Sequence, residues 1–155
     1  MKLKSCFLCL LVLANFANAQ ILADKVYDES TQTVLLYNSK TEQSLPIISL
    51  NSNETLTLLF DQLDANYQNF NYRIVHCNAD WTPALLNPFD YISGFPQNRI
   101  SMYRVSSVAL TRYVHYQVLL PEKNCIPTKS GNYILKVFLD KDTSKLAFTK
   151  RLYVL

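Results

Sequence analysis

The chain has 155 residues, a formal net charge of +3 and a mean hydropathy of +0.01. One hydrophobic core is within reach at this length, and two are not. Its charges are interspersed, with no Lys/Arg cluster that could follow a phosphate backbone or settle on an anionic membrane, which argues against nucleic acid as a partner.

The chain opens with "MKLK", a basic leader, followed by the short apolar run "SCFLCLLVLANF" and by small residues at Ala17 and Ala19. This is the layout of a secretory signal cleaved after Ala19. A membrane anchor would need about 20 consecutive apolar residues. Cys6 and Cys9 sit inside the apolar run, without the pattern that leads into a lipoprotein cysteine. The expectation is a signal at 1–19 and one exported domain at 20–155, with no direct insertion into a membrane. Without Lys2 and Lys4 the balance falls to 13 basic against 12 acidic side chains.

Short apolar and aromatic runs then recur, separated by Asn, Asp, Ser and Pro, which is the rhythm of an all-β sandwich. "TVLLYN" (33–38) and "LPIISL" (45–50) read as a hairpin closed by a long polar loop. In "ETLTLLFDQL" (54–63), Leu56, Leu58 and Phe60 share a face. "NFNYRIVHC" (69–77) places Phe70, Tyr72, Ile74 and His76 on one side and Arg73, Val75 and Cys77 on the other, so both faces are expected to be covered. "YVHYQVLLP" (113–121) and "GNYILKVFLD" (131–140) alternate in the same way, and "LAFTKRLYVL" (146–155) pairs back through "KDTSK". The predicted fold is an immunoglobulin-like β-sandwich of seven to nine strands. The pattern breaks at 82–99, "TPALLNPFDYISGFPQNR", where prolines exclude an ordinary central strand and suit short helical turns. So many apolar residues must be ordered, and the segment is expected to sit at one end of the sandwich, outside the sheets.

The densest chemistry lies at "IVHCNADWTP" (74–83). A metal reading of His76, Cys77 and Asp80 fails on geometry, because neighbours on a strand point to opposite faces. Cys77 beside His76 is not a nucleophile pair, and His115 would have to arrive from another strand. No carboxylate pair or Gly-x-Ser-x-Gly elbow stands elsewhere. No catalytic set, metal or cofactor is therefore expected. The structural reading has Asn78 and Asp80 capping a turn, Trp81 anchoring the insertion from beneath and Pro83 opening a short helix, with His76 and His115 satisfying buried backbone groups. Cys77 and Cys125, 48 positions apart, either pair or stand as buried thiols. Asn53 opens an Asn-x-Thr sequon that means little without a glycosylating host.

Taken together, "HCNADWTPALL", "FDYISGFPQNRI", "YVHYQVLLP" (with His115 and Tyr116) and "SGNYILKVF" resemble the first domain of the type IX secretion system plug protein family. The resemblance runs from Asp24 to the last strand. It implies a non-catalytic periplasmic protein of the Bacteroidota that docks on the outer-membrane secretion barrel and closes its periplasmic mouth. Family chains continue into a second β-rich region. The docking residues expected are Phe89, Tyr91, Ile92 and Phe95, with Tyr91 and Phe95 divided between core and interface. The alternative is a periplasmic glycan-binding module using a coplanar exposed row of Trp81, Tyr91 and Phe95. An enzyme would need His76 and His115 together in an open cleft.

Overall fold

The computed structural model describes residues 24–64, 66–107, 110 and 112–155, so the predicted signal at 1–19 lies outside the described residues. Among the described residues eleven strands are formed: β1 (Thr31–Asn38), β2 (Ile47–Ile48), β3 (Leu56–Gln62), β4 (Phe70–Cys77), β5 (Ile92–Gly94), β6 (Gln97–Ile100), β7 (Met102–Val105), β8 (Val114–Leu120), β9 (Cys125–Pro127), β10 (Gly131–Leu139) and β11 (Leu146–Val154). One sheet runs β1-β3-β8-β7, the other β2-β11-β10-β4-β6, and β5 and β9 form a separate ribbon. The chain passes repeatedly between the two large sheets. That split, with a parallel edge strand (β2) added beside β11, is an immunoglobulin-like sandwich.

Period-two alternation explains the register. Leu56, Leu58 and Phe60 on β3 and Val114, Tyr116, Val118 and Leu120 on β8 are buried. They meet Phe70, Tyr72 and Ile74 of β4 and Tyr133, Leu135 and Val137 of β10 in one core. At its centre the Phe60 ring stacks on Tyr116 at 4.9 Å. Phe70 and Phe148, from the opposite sheet, meet Phe60 edge-on at 5.0 Å. Such pairs add about 0.5–1.5 kcal/mol each beyond area burial. The Tyr133 hydroxyl donates to Lys129 O at 2.7 Å. This bond pins the start of β10 to the chain just upstream, as a tyrosine corner does.

Three expectations are corrected. Residues 33–38 and 45–50 do not form a hairpin: β1 pairs with β3, and β2 crosses to lie parallel to β11. Asn38 organises that crossing, donating from Nδ2 to Ile47 O (2.8 Å) while its backbone N–H donates to Ser44 Oγ. Pro83 opens no helix. It bridges to Cys77, and Ala84 N–H donates to His76 O at 2.9 Å, so 82–84 runs back along the end of β4. The only helical turn described within 82–99 is the 3-10 turn Pro88–Asp90, boxed by Asn87 and Asp90. Nor does the insertion stay outside the sheets: β6 pairs with β4, because Ile100 supplies a buried inward position once Pro96 is passed.

Candidate docking site

The "HCNADW" stretch is a hydrogen-bonded corner at the end of β4. Asn78 N–H donates to Thr82 O (2.9 Å) and its Nδ2 to Thr82 Oγ1 (3.0 Å). Thr82 donates to Asp80 Oδ1 from its backbone (3.0 Å) and its hydroxyl (2.6 Å), which holds the Asp80 carboxyl below the usual range. Trp81 has φ +67°, a left-handed conformation an aromatic residue rarely adopts. Its ring is half-buried and does not lie under the insertion. It meets Tyr153 edge-on at 5.4 Å, with the Arg151 guanidinium 4.6 Å from its centroid.

The insertion is anchored instead by Tyr91, whose ring lies 5.7 Å from His76 and 6.1 Å from Tyr133. Burial pushes the Tyr91 and Tyr133 phenols up, the latter to about 12. His76 meets Tyr133 edge-on at 4.9 Å, and its Nε2 lies 3.4 Å from Ser130 O. Gly131, at φ +141°, leaves room for that imidazole: a Cβ there would stand 2.8 Å from His76 Nε2. His76 thus closes the inward series of β4.

His115 lies on the other sheet and alternates with the inward Val114 and Tyr116. Its Nδ1 is 2.7 Å from Asp61 Oδ1, its partner across β3 and β8. The two histidines share no cleft. Cys77 and Cys125 are free, buried thiols on β4 and β9 rather than a disulfide. Burial pushes both thiols up, Cys125 to about 11. Among the described residues no group of three or more His, Cys, Asp and Glu is placed to hold a metal ion.

The four predicted docking residues separate cleanly. Tyr91 and Ile92 are 3% and 2% exposed, whereas Phe89 and Phe95 are 69% and 66% exposed. Ile92 therefore offers no surface, contrary to expectation. Leu85, fully exposed, joins the outward set, which its position in a polar-flanked "PALLNP" run did not signal. The frame beneath Phe95 is built by the β5–β9 ribbon. Phe95 N–H donates to Asn124 O (2.6 Å), and Asn98 donates to Phe95 O (2.9 Å) while accepting from Asn124 Nδ2 (3.0 Å). Gly94, at φ +96°, permits this approach, since a Cβ would fall 2.2 Å from Asn124 O. Nothing in the local sequence marks Asn124 as this partner. The pairing is long-range.

These features define a sandwich domain with exposed apolar side chains at Leu85, Phe89 and Phe95 and no assembled catalytic group among the described residues. Residues 31–155 match the family described as type 9 secretion system plug protein 1st domain, and the chain belongs to that family. A crystal structure at 2.30 Å of a hypothetical protein from Parabacteroides merdae ATCC 43184 is 30% identical, with a TM-score of 0.82. The match covers 87% of this chain and 34% of that one, so the chain spans about a third of that protein's length. A Pseudomonas fluorescens alkylpurine DNA glycosylase bound to DNA containing an abasic site analog reaches a TM-score of only 0.40 at 10% identity, covering 81% of this chain and 30% of that one; it carries no argument. No curated protein matches the chain. No helix among the described residues is long and apolar enough to cross a membrane.

Proposed function

We propose that this protein is a non-catalytic periplasmic subunit that docks on the outer-membrane type IX secretion barrel and helps close its periplasmic mouth. The observation that carries the reading is the family match over residues 31–155. The exposed rings of Phe89 and Phe95 support it: Phe89 projects from the capped 3-10 turn and Phe95 from the end of the β5–β9 ribbon, so little ordering is required on binding, and aromatic residues dominate interface hot spots. The signal at 1–19 would deliver the protein to the periplasm. The alternative, a glycan module, loses its stacking platform, because Tyr91 is buried and Trp81 is packed against Arg151 and Tyr153.

The test has two arms. Affinity-tagged protein is used to capture partners from solubilised outer membranes, and the barrel's conductance in planar bilayers is recorded with and without the protein. The reading expects the barrel among the captured proteins and a lowered conductance. Capture without a conductance change would leave docking and remove closure; absence of the barrel would remove both.

A further inference from the structure

We propose that the outer face of the five-stranded sheet holds a recognition site for an acidic polypeptide segment of a partner protein, built on Arg73 and Lys136 and approached past Arg99 and Lys141. This site is separate from the Phe89 and Phe95 projection and does not rest on docking at the barrel.

The register creates it. Lys136 of β10 stands directly across from Arg73 of β4, on the face opposite the main core. Adjacent strands lie about 4.8 Å apart, and like charges directly opposed destabilise a sheet. Other charges among the described residues do pair, Lys40 with Glu54, Arg151 with Asp24 and Lys145 with Asp142. Arg73 and Lys136 have no carboxylate in range among the described residues. Both side chains are half-buried. Arg73 gives Nη2 to Gln97 Oε1 at 3.0 Å, but its Nε is buried without any hydrogen-bond partner. A donor left in that state costs about 1–3 kcal/mol. Burial first, and the neighbouring Arg73 charge with it, pull the Lys136 ammonium below its ordinary pKa. A carboxylate at the accessible ends of the two side chains would offset their mutual repulsion.

Two residues along the same strands the face deepens. Asn71 stands opposite Arg99, and with Asn69, Asp140 and Lys141 they line a cavity of about 390 Å³, two cations against one carboxylate. Arg99 is held in place, its Nη2 donating to Tyr67 Oη and to Asn69 Oδ1, each at 2.5 Å. Asn69 Oδ1 and Gln97 Oε1 are taken by Arg99 and Arg73, which leaves the amide nitrogens of Asn69 and Gln97 to donate to a peptide backbone. A bilayer is the poorer fit. Arg73 and Lys136 are half-buried beside the buried Asn71 and Phe138, so a planar array of headgroups meets a recessed pair that a single flexible side chain can follow.

The experiment titrates hexaglutamate into the full chain at low ionic strength by calorimetry. The wild type is expected to bind, with affinity falling about thirtyfold or more in Lys136→Met, the scale of removing one partner of a desolvated charge pair. Lys136→Arg should restore it, and Lys129→Met, which removes an exposed charge elsewhere, should leave it unchanged. Lys136→Met keeps the aliphatic stem and removes the like-charge contact, so it should melt no lower than the wild type. The proposal is overturned if hexaglutamate does not bind, or if Lys129→Met loses as much as Lys136→Met. A lower melting point in Lys136→Met would make Lys136 a packing residue and also overturn it. So would phosphatidylglycerol vesicles binding through Lys136 where the peptide does not.

Discussion

Tyr91 and Phe95 are four residues apart on one insertion, yet one is 3% exposed and the other 66%. Tyr91 lies against His76 and Tyr133 at the end of the core, where it fastens the insertion to β4 and β10. Phe95 is held only through its backbone, by Asn124 and Asn98, and its ring faces outward. The comparison separates two tasks within a segment of uniform composition: inward rings maintain the fold, and outward rings are free to be spent on a partner.

The largest effect should come from the inward side. Tyr91→Ala is expected to cost about 3–5 kcal/mol, as other large aromatic truncations in cores do, read by chemical denaturation. A loss under about 1 kcal/mol would mean that the insertion is fastened elsewhere. Gly94→Ala comes next, at about 1–3 kcal/mol, because its Cβ meets backbone rather than a movable side chain. Proteolysis at the insertion should accelerate in that variant, since the β5–β9 ribbon must shift. Trp81→Ala should cost less, about 1–2 kcal/mol, for a half-buried ring with one cation contact and one edge-on aromatic contact. A cost of the core-aromatic size would show that Trp81 carries the corner after all. The smallest stability effect belongs to the outward side: Phe89→Ser with Phe95→Ser should change stability by no more than about 0.5 kcal/mol, read from the melting curve.

How much of this was legible in advance follows from the residues. Alternation over seven to nine positions makes β3, β4, β8, β10 and β11 readable, and with them the sandwich. Strands β2, β7 and β9 have two to four residues, too few to carry a period, and their pairings depend on distant segments. The turn role of Asn78 and Asp80 is local and therefore readable. Where Trp81 goes is not, because its left-handed backbone turns the ring toward β11 instead of the insertion. The inward and outward division of Phe89, Tyr91, Ile92 and Phe95 is only half legible. Composition marks the segment as apolar, but the ribbon with β9 that decides which ring faces out has no local signature.

The central claim is that the outward rings dock on the secretion barrel while the inward rings hold the fold. Its most direct test is capture of the barrel from solubilised outer membranes by tagged wild type and by the Phe89→Ser, Phe95→Ser double variant, with both first shown to have the same melting point. The account predicts a loss of captured barrel of about tenfold or more, the scale of losing interface anchors. Equal capture by a variant that melts like the wild type would contradict it.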